Sequence, residues 1–324
     1  MSLAHYAFRR LLQAIPLLFI IFTLTFILMS AAPGNPVWGI IDPMSKYAGE
    51  KETIDRIEKR LGTDQPIYIQ YIKFVNNVLH GNLGNSFVFQ RPVAEKIVQR
   101  APNTLLLVGI SLIISTLIGI IVGVISALKK NKWIDNLFTF ISFLSISIPG
   151  FFMAIVIVLI FSLHLGWFPV GGMRTDMDHF NIMDRIKHMV LPVFVLVFLM
   201  FSSKARFMRS SMIEQLKSDY IKTARSKGLS EGKIIWKHAL RNALLPVVII
   251  LTMQLPSLVG GAAFIEMVFA WPGVGGLALK AMSDRDYPLI MGITLVFSVA
   301  IIISNLLADI IHGIIDPRVR NEIK

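Results

Sequence analysis

Cysteine is absent from the chain, which excludes disulfides and thiolate metal sites. Charge is scarce as well: Asp, Glu, Lys and Arg make up 16% of the 324 residues, against about 25% in soluble domains. No Gly-x4-Gly-Lys-Ser/Thr stretch occurs, so the chain has no P-loop to cradle ATP phosphates. The seven histidines are scattered and form no metal-ligand cluster. No nucleophile stands with a base, so the sequence offers neither a catalytic residue nor a metal site and does not read as an enzyme. What fills the chain instead is apolar, at 54% hydrophobic residues.

That apolar content is concentrated in windows long enough to cross a bilayer core of about 30 Å, which takes roughly 20 residues of helix. Spans are expected near Leu11–Ala32, Thr104–Leu128, Asn136–Leu165, Met189–Lys204, Leu244–Phe269 and Pro288–Ile315. The expected fold is therefore an all-α membrane protein with about six transmembrane helices. Arg9-Arg10, an apolar stretch and Ser30-Ala31-Ala32 fit a signal peptide or a retained span. Its apolar part, ~20 residues, exceeds an h-region of 7–15 and favours retention. Pro149-Gly150 predicts a kink in the third span. Lys204 is expected to snorkel to the headgroups at the end of the fourth.

With the N-terminus inside, the inner segments hold 18 Lys and Arg against 7 acidic residues, and the outer segments 14 against 13. The excess sits in short loops, as the positive-inside rule requires, and places both termini in the cytoplasm. The net charge of +12 is thus a topology signal, and it needs no nucleic acid to explain it.

Within the spans, Ser111, Ser115, Gly119, Gly123 and Ala127 recur every fourth residue and form one groove. Such a groove lets another helix approach closely, either in the same chain or in a partner subunit. Gln254, Pro256, Ser257, Gly260 and Gly261 make a broken, polar middle in the fifth span, which fits a pathway lining or a packing kink. Ser142, Ser145 and Ser147 are further lining candidates, although Ser hydroxyls in membrane helices often bond back to their own backbone. Asp309 and His312, one turn apart, fit a proton relay or a solvated pair near the interface.

Two segments outside the spans carry pattern. Residues 33–103 read as a small helical cap: one stripe through Ile54, Ile57 and Leu61 is closed by Gly62. A second helix opens at Asp64-Gln65-Pro66, and a third short helix after Arg91-Pro92-Val93 feeds the second span. The cap is either a structural lid or a docking face for an external partner. Residues 204–243 form a loop with ten basic residues, read as two helices broken at Gly228, with Ser230 as the second N-cap. Lys233, Lys237 and Arg241 fall on one stripe of the second helix. That helix either rests on anionic headgroups or docks as a lever into a groove of a soluble protein.

The run Asp219 to Glu231, continued by His238-Ala239-Leu240-Arg241-Asn242-Ala243-Leu244-Leu245-Pro246, resembles the EAA loop of ABC-importer permeases. It is most similar to the dipeptide/oligopeptide (peptide/nickel) branch. Ala224, Gly228, Leu245 and Pro246 match the motif, whereas Lys222 and Thr223 replace its first Glu and Ala. Leu61-Gly62-Thr63-Asp64-Gln65-Pro66, Trp271-Pro272-Gly273-Val274-Gly275 and Asn305 to Asp309 with Asp316-Pro317-Arg318 resemble further parts of that family, in order along the chain.

The resemblance implies a type I importer permease in a bacterial or archaeal cell membrane, forming half of a peptide pore. Its domains would be 1–32, 33–103 and a five-helix core at 104–324 containing the coupling loop. It implies a homologous second permease, two ABC ATPases that bind ATP and Mg, and an external substrate-binding protein, with no cofactor on this chain itself. Lys222, Thr223, Ala224, Arg225, Gly228, Leu229, Ser230, Lys233, Lys237 and Arg241 would form the ATPase-coupling loop. Ala224 and Gly228 would be small because a neighbouring backbone lies close. Nickel or glutathione is the alternative cargo within this architecture. A secondary transporter would need ionisable residues at mid-membrane and internal hydropathy repeats, and an intramembrane enzyme a nucleophile and base at depth; none of these is evident.

Overall fold

The computed structural model describes residues 3–31, 37, 51–176, 181–254, 256 and 263–315, and no strand occurs among them. In chain order the helices are α1 (Leu3–Ala31), α2 (Lys51–Leu61), α3 (Ile67–Leu79), α4 (Val93–Leu128), α5 (Trp133–Ser147) and α6 (Gly150–His164). They continue as α7 (Ile182–Lys217), α8 (Asp219–Ser226), α9 (Glu231–Met253), α10 (Ala263–Val268), α11 (Val274–Ser283) and α12 (Tyr287–Ile315). Five of these are long and apolar enough to cross a bilayer: α1 from Leu12, α4, α7, α9 and α12. The pair α5–α6 supplies a sixth only as a broken span, bent by 102°. The predicted kink at Pro149-Gly150 is therefore a sharp break. Pro149 has no amide hydrogen to carry a helix across the junction, and its backbone stands at φ −59° and ψ 132°, outside the helical region.

Several boundaries differ from expectation: the expected fifth span, Leu244–Phe269, is a helix over Glu231–Met253 with a separate short helix at Ala263–Val268. The third short helix of the cap and the second span are one continuous helix, α4, because Val93 and Ile97 bury the same face that the span continues. Helix α7 begins at Ile182, one to two turns before the apolar run, capped by the Asn181 side chain, which accepts from the amides of Met183 and Asp184.

The chain divides into two compact units. The first comprises residues 1–104 and 272–303. Its core has an aliphatic cluster, including Val93, Ile97, Leu277 and Leu289, and an aromatic one in which Phe22 stacks on Phe74 at 5.1 Å. Asp286 is fully buried and accepts from the Ser86 hydroxyl and from the amides of Phe87 (3.0 Å) and Val88 (3.2 Å). This carboxylate fastens the loop before α4 to the start of α12.

The second unit comprises residues 105–271 and 304–324 and is organised around α7, which packs on α5, α6 and α9. The small-residue groove of α4 receives α7. A methyl at Gly119 would stand 2.7 Å from Lys204 Cβ, and one at Gly123 2.5 Å from Met208 Cβ and 2.7 Å from the Ala205 carbonyl. The stripe thus serves packing within the chain, with Ser111 and Ser115 fully buried along it. Lys204 does not snorkel. It is 0% exposed, and its ammonium donates to Ser115 Oγ (3.0 Å) and to the Met200 carbonyl (3.1 Å). Its stem is trapped where Gly119 admits it, well before α7 ends at Lys217.

Candidate functional site

The basic segment between α7 and α9 is built from local signals. Ser218 ends α7 in an extended conformation, φ −67° and ψ 154°, and its hydroxyl returns to the Gln215 carbonyl at 2.6 Å. Helix α8 follows for two turns and stops where Gly228 adopts φ +75°. Leu229 then closes the end, its amide donating to the Ala224 carbonyl at 3.3 Å. That left-handed turn is the usual glycine terminus of a helix. Among the described residues of this chain nothing lies within 4 Å of a Cβ built on Gly228, so within the chain its smallness answers to backbone conformation. Ser230 precedes α9 with extended backbone, as an N-cap should, although its side chain makes no capping bond.

Helix α9 widens into π-type turns over Ile234–Ala239 before resuming regular α geometry. The extra residue resets the buried face, which runs Ile234, Ala239, Ala243, Val247. These pack with Ile221 and Ala224 of α8, Met208 and Met212 of α7, and Val124 and Ala127 of α4 in one cluster. A regular helix with 3.6 residues per turn would instead put Trp236, Leu240 and Leu244 together on one face, since it has no such register shift. Trp236 is 64% exposed.

The opposite face is polar and open. Lys222, Thr223, Arg225, Gly228, Ser230, Lys233, Lys237 and Arg241 are all exposed, Leu229 is half-buried, and Ala224 belongs to the core. The hydrogen bond from Lys222 Nζ to Asp219 Oδ1, 2.8 Å long, holds the Asp219 carboxyl below the usual range. Thr223 donates to the Asp219 carbonyl at 3.0 Å. Arg225 grips Glu231 with Nε and one terminal nitrogen, at 2.7 and 3.2 Å, which raises the guanidinium pKa and ties the end of α8 to the start of α9 across Gly228. These pairs are solvated and set local geometry more than stability.

One element of the site was not anticipated. Asp135, buried at the start of α5, receives both Nε (2.6 Å) and a terminal nitrogen (2.7 Å) of Arg209 on α7, together with the Asn131 amide at 2.9 Å. The only hint in sequence was a lone acid beside Lys129, Lys130 and Lys132. It locks the short connection between α4 and α5 onto α7, two turns before the basic segment.

Of the pathway candidates, Ser142, Ser145, Ser147 and Gln254 lie among the described residues. Ser142 and Ser145 are buried on α5, with the Ser145 hydroxyl bonded to the Ser142 carbonyl at 2.9 Å. Ser147 is exposed and bonds back to the Phe143 carbonyl at 2.9 Å. Gln254 caps the C-terminus of α9, its amide shared among preceding carbonyls. Ser257, Gly260 and Gly261 lie outside the described residues. Asp309 and His312 stand one turn apart on α12. No cluster of three or more metal-ligating side chains occurs among the described residues.

Residues 119–321 match the family described as binding-protein-dependent transport system inner membrane component, and residues 3–108 match the N-terminal part described for the same systems. The oligopeptide transport system permease protein AppB of Bacillus subtilis is 42% identical over 98% of this chain and 99% of its own length. A putative peptide permease of Brucella suis is 40% identical over 98% of this chain and 99% of its own length. The glutathione transport system permease protein GsiC of Escherichia coli is 36% identical over the same shares of the two chains. A solved chain of the MetNI methionine ABC transporter, in an inward-facing conformation, superposes with a TM-score of 0.50. It covers 68% of this chain and 96% of that one at 18% identity, a likeness of fold. With long apolar helices on both sides of a basic connecting segment, and with family matches along nearly its whole length, the chain belongs to the binding-protein-dependent inner-membrane components and is a multi-pass permease subunit of an ABC importer.

Proposed function

We propose that this permease forms half of the pore of an ATP-driven importer for di- and oligopeptides, and that residues 219–241 transmit the power stroke. The observation that carries the coupling role is the use of the two faces of α8 and α9. Their apolar sides are consumed in a core with α4 and α7, while the basic side is free. A helix that rests on lipid needs a continuous free apolar face to insert, and here Ile221, Ala224, Ile234 and Ala239 are taken up in the core, which leaves Tyr220 and Trp236 as the exposed aromatic residues. A docked lever needs the reverse, a polar face outward and a rigid attachment inward.

Two cytoplasmic ATPases binding ATP and Mg would grip α8 and the start of α9. The positive-inside count supports this side as cytoplasmic. A homologous second permease would complete the pore, and an external binding protein would deliver the peptide. Because α8 lies between α7 and α9 with only Ser218 and residues 227–230 as joints, a push on it moves both flanking helices.

Peptide cargo rests on the relatives AppB and the Brucella permease. The glutathione permeases, at 36–37% identity, keep a short γ-linked peptide as the second reading. The test is uptake into proteoliposomes holding the complete transporter. Labelled oligopeptide should enter only with ATP and binding protein, and collapse of ion gradients should leave the rate unchanged. Uptake driven by an ion gradient without ATP contradicts the proposal. Competition by excess glutathione, but not by oligopeptides, selects the second cargo.

A further inference from the structure

The first unit encloses a recess of about 590 Å³ that plays no part in the coupling segment. Its charged wall residues among the described ones, Lys59, Arg60 and Lys73, are all cationic, and no carboxylate lines it among the described residues. Among the described residues none of the three forms an ion pair. Lys73 Nζ reaches the side-chain oxygen of Gln65 at 2.7 Å, and an Arg60 terminal nitrogen that of Gln90 at 3.2 Å. Thr63 in the same wall keeps a buried hydroxyl with no hydrogen-bond partner. A concave wall of one sign over a low-dielectric floor focuses the field on an anion.

The floor is apolar. Phe26, Phe74 and Met291 come from the aromatic cluster of this unit. Phe26 lies five residues before the end of α1, and Met291 four residues after the start of α12. Both helices are membrane spans, so the floor sits within about 8 Å of their ends at 1.5 Å per residue. That is the level where headgroups meet acyl chains. A ligand for this recess has a negative head and an apolar body. A short peptide would bring an ammonium group that finds no carboxylate among the described wall residues. A free phosphate would leave the aromatic floor uncovered.

We propose that the recess binds the phosphate headgroup of an anionic phospholipid, with Lys59, Arg60 and Lys73 on the phosphate and the first methylenes of the acyl chains on Phe26, Phe74 and Met291. The site belongs to the leaflet at the C-terminal end of α1, which the charge count makes the outer one.

The assembled transporter, purified and offered phosphatidylglycerol or phosphatidylcholine, is examined by native mass spectrometry. The wild type should retain phosphatidylglycerol selectively. K59Q/R60Q/K73Q should bind it at least about tenfold more weakly, since the change removes all three cations that face the phosphate. R56Q should not change retention, because Arg56 is paired with Glu52 and lies off the wall. A photoactivatable phosphatidylglycerol on the wild-type complex should label peptides containing residues 59–74, and this arm is independent of whether the triple variant assembles. Equal retention of the two lipids, retention by the triple variant, labelling elsewhere only, or displacement by millimolar glycerol phosphate or by peptide overturns the proposal.

Discussion

At Gly228 the backbone stands in the left-handed region with open space around the position, so the cost of replacing it is conformational. A β-branched residue there costs about 1–2 kcal/mol, whereas Asn tolerates this region. Gly228→Asn should therefore keep near wild-type peptide uptake, and Gly228→Val should lose most of it while inserting normally. Equal loss in both variants, in uptake assays on matched amounts of complex, would point to a closely approaching partner backbone instead. At Asp135, replacement by Ala strands the Arg209 guanidinium that it holds with two bonds. A loss of about 2–3 kcal/mol is expected, as for hydrogen bonds to a charged group at a largely buried partner. The purified complex should melt at lower temperature, and the double change Asp135→Ala with Arg209→Met should recover part of the loss. The glycine and the basic stripe were legible in sequence because turn chemistry and i, i+4 spacing are local. The Asp135–Arg209 pair was not, because its partners are 74 residues apart and no pattern in one chain links them.

Among the elements, α4 and α7 show how a spacing rule becomes geometry. Ser111, Ser115, Gly119, Gly123 and Ala127 announced a groove, and α7 fills it so tightly that even a methyl at Gly123 meets backbone. Gly109 on the same helix has nothing within 4 Å of a built Cβ. Gly123→Ala should thus destabilise the permease by about 1–3 kcal/mol, as overpacking does, while Gly109→Ala should be neutral or slightly stabilising. Thermal unfolding of the two variants in detergent separates them, and similar melting temperatures would contradict the packing described. Span number was readable from apolar length, but the depth of Lys204 was not. A lysine near a predicted span end reads as an interfacial anchor, and only the close approach of α4 at Gly119 shows that its stem is enclosed. The register of α9 escaped for a similar reason, since the π-type turns over Ile234–Ala239 add a residue that periodicity does not count.

In the whole molecule, α8 and the start of α9 are proposed to act as a handle held by an ATPase. Absence of cysteine makes this directly testable, because a single introduced cysteine is the only thiol of this chain. Thr223 is exposed on α8, away from the buried contacts of Ile221 and Ala224. The deciding measurement is sulfhydryl crosslinking from Thr223→Cys in the intact, transport-competent complex, with products identified by mass spectrometry. An adduct with the ATPase subunit is expected, with a yield that changes between the ATP-bound and nucleotide-free states. Adducts with lipid-anchored reagents alone, and none with an ATPase that copurifies in the complex, would contradict the proposed handle.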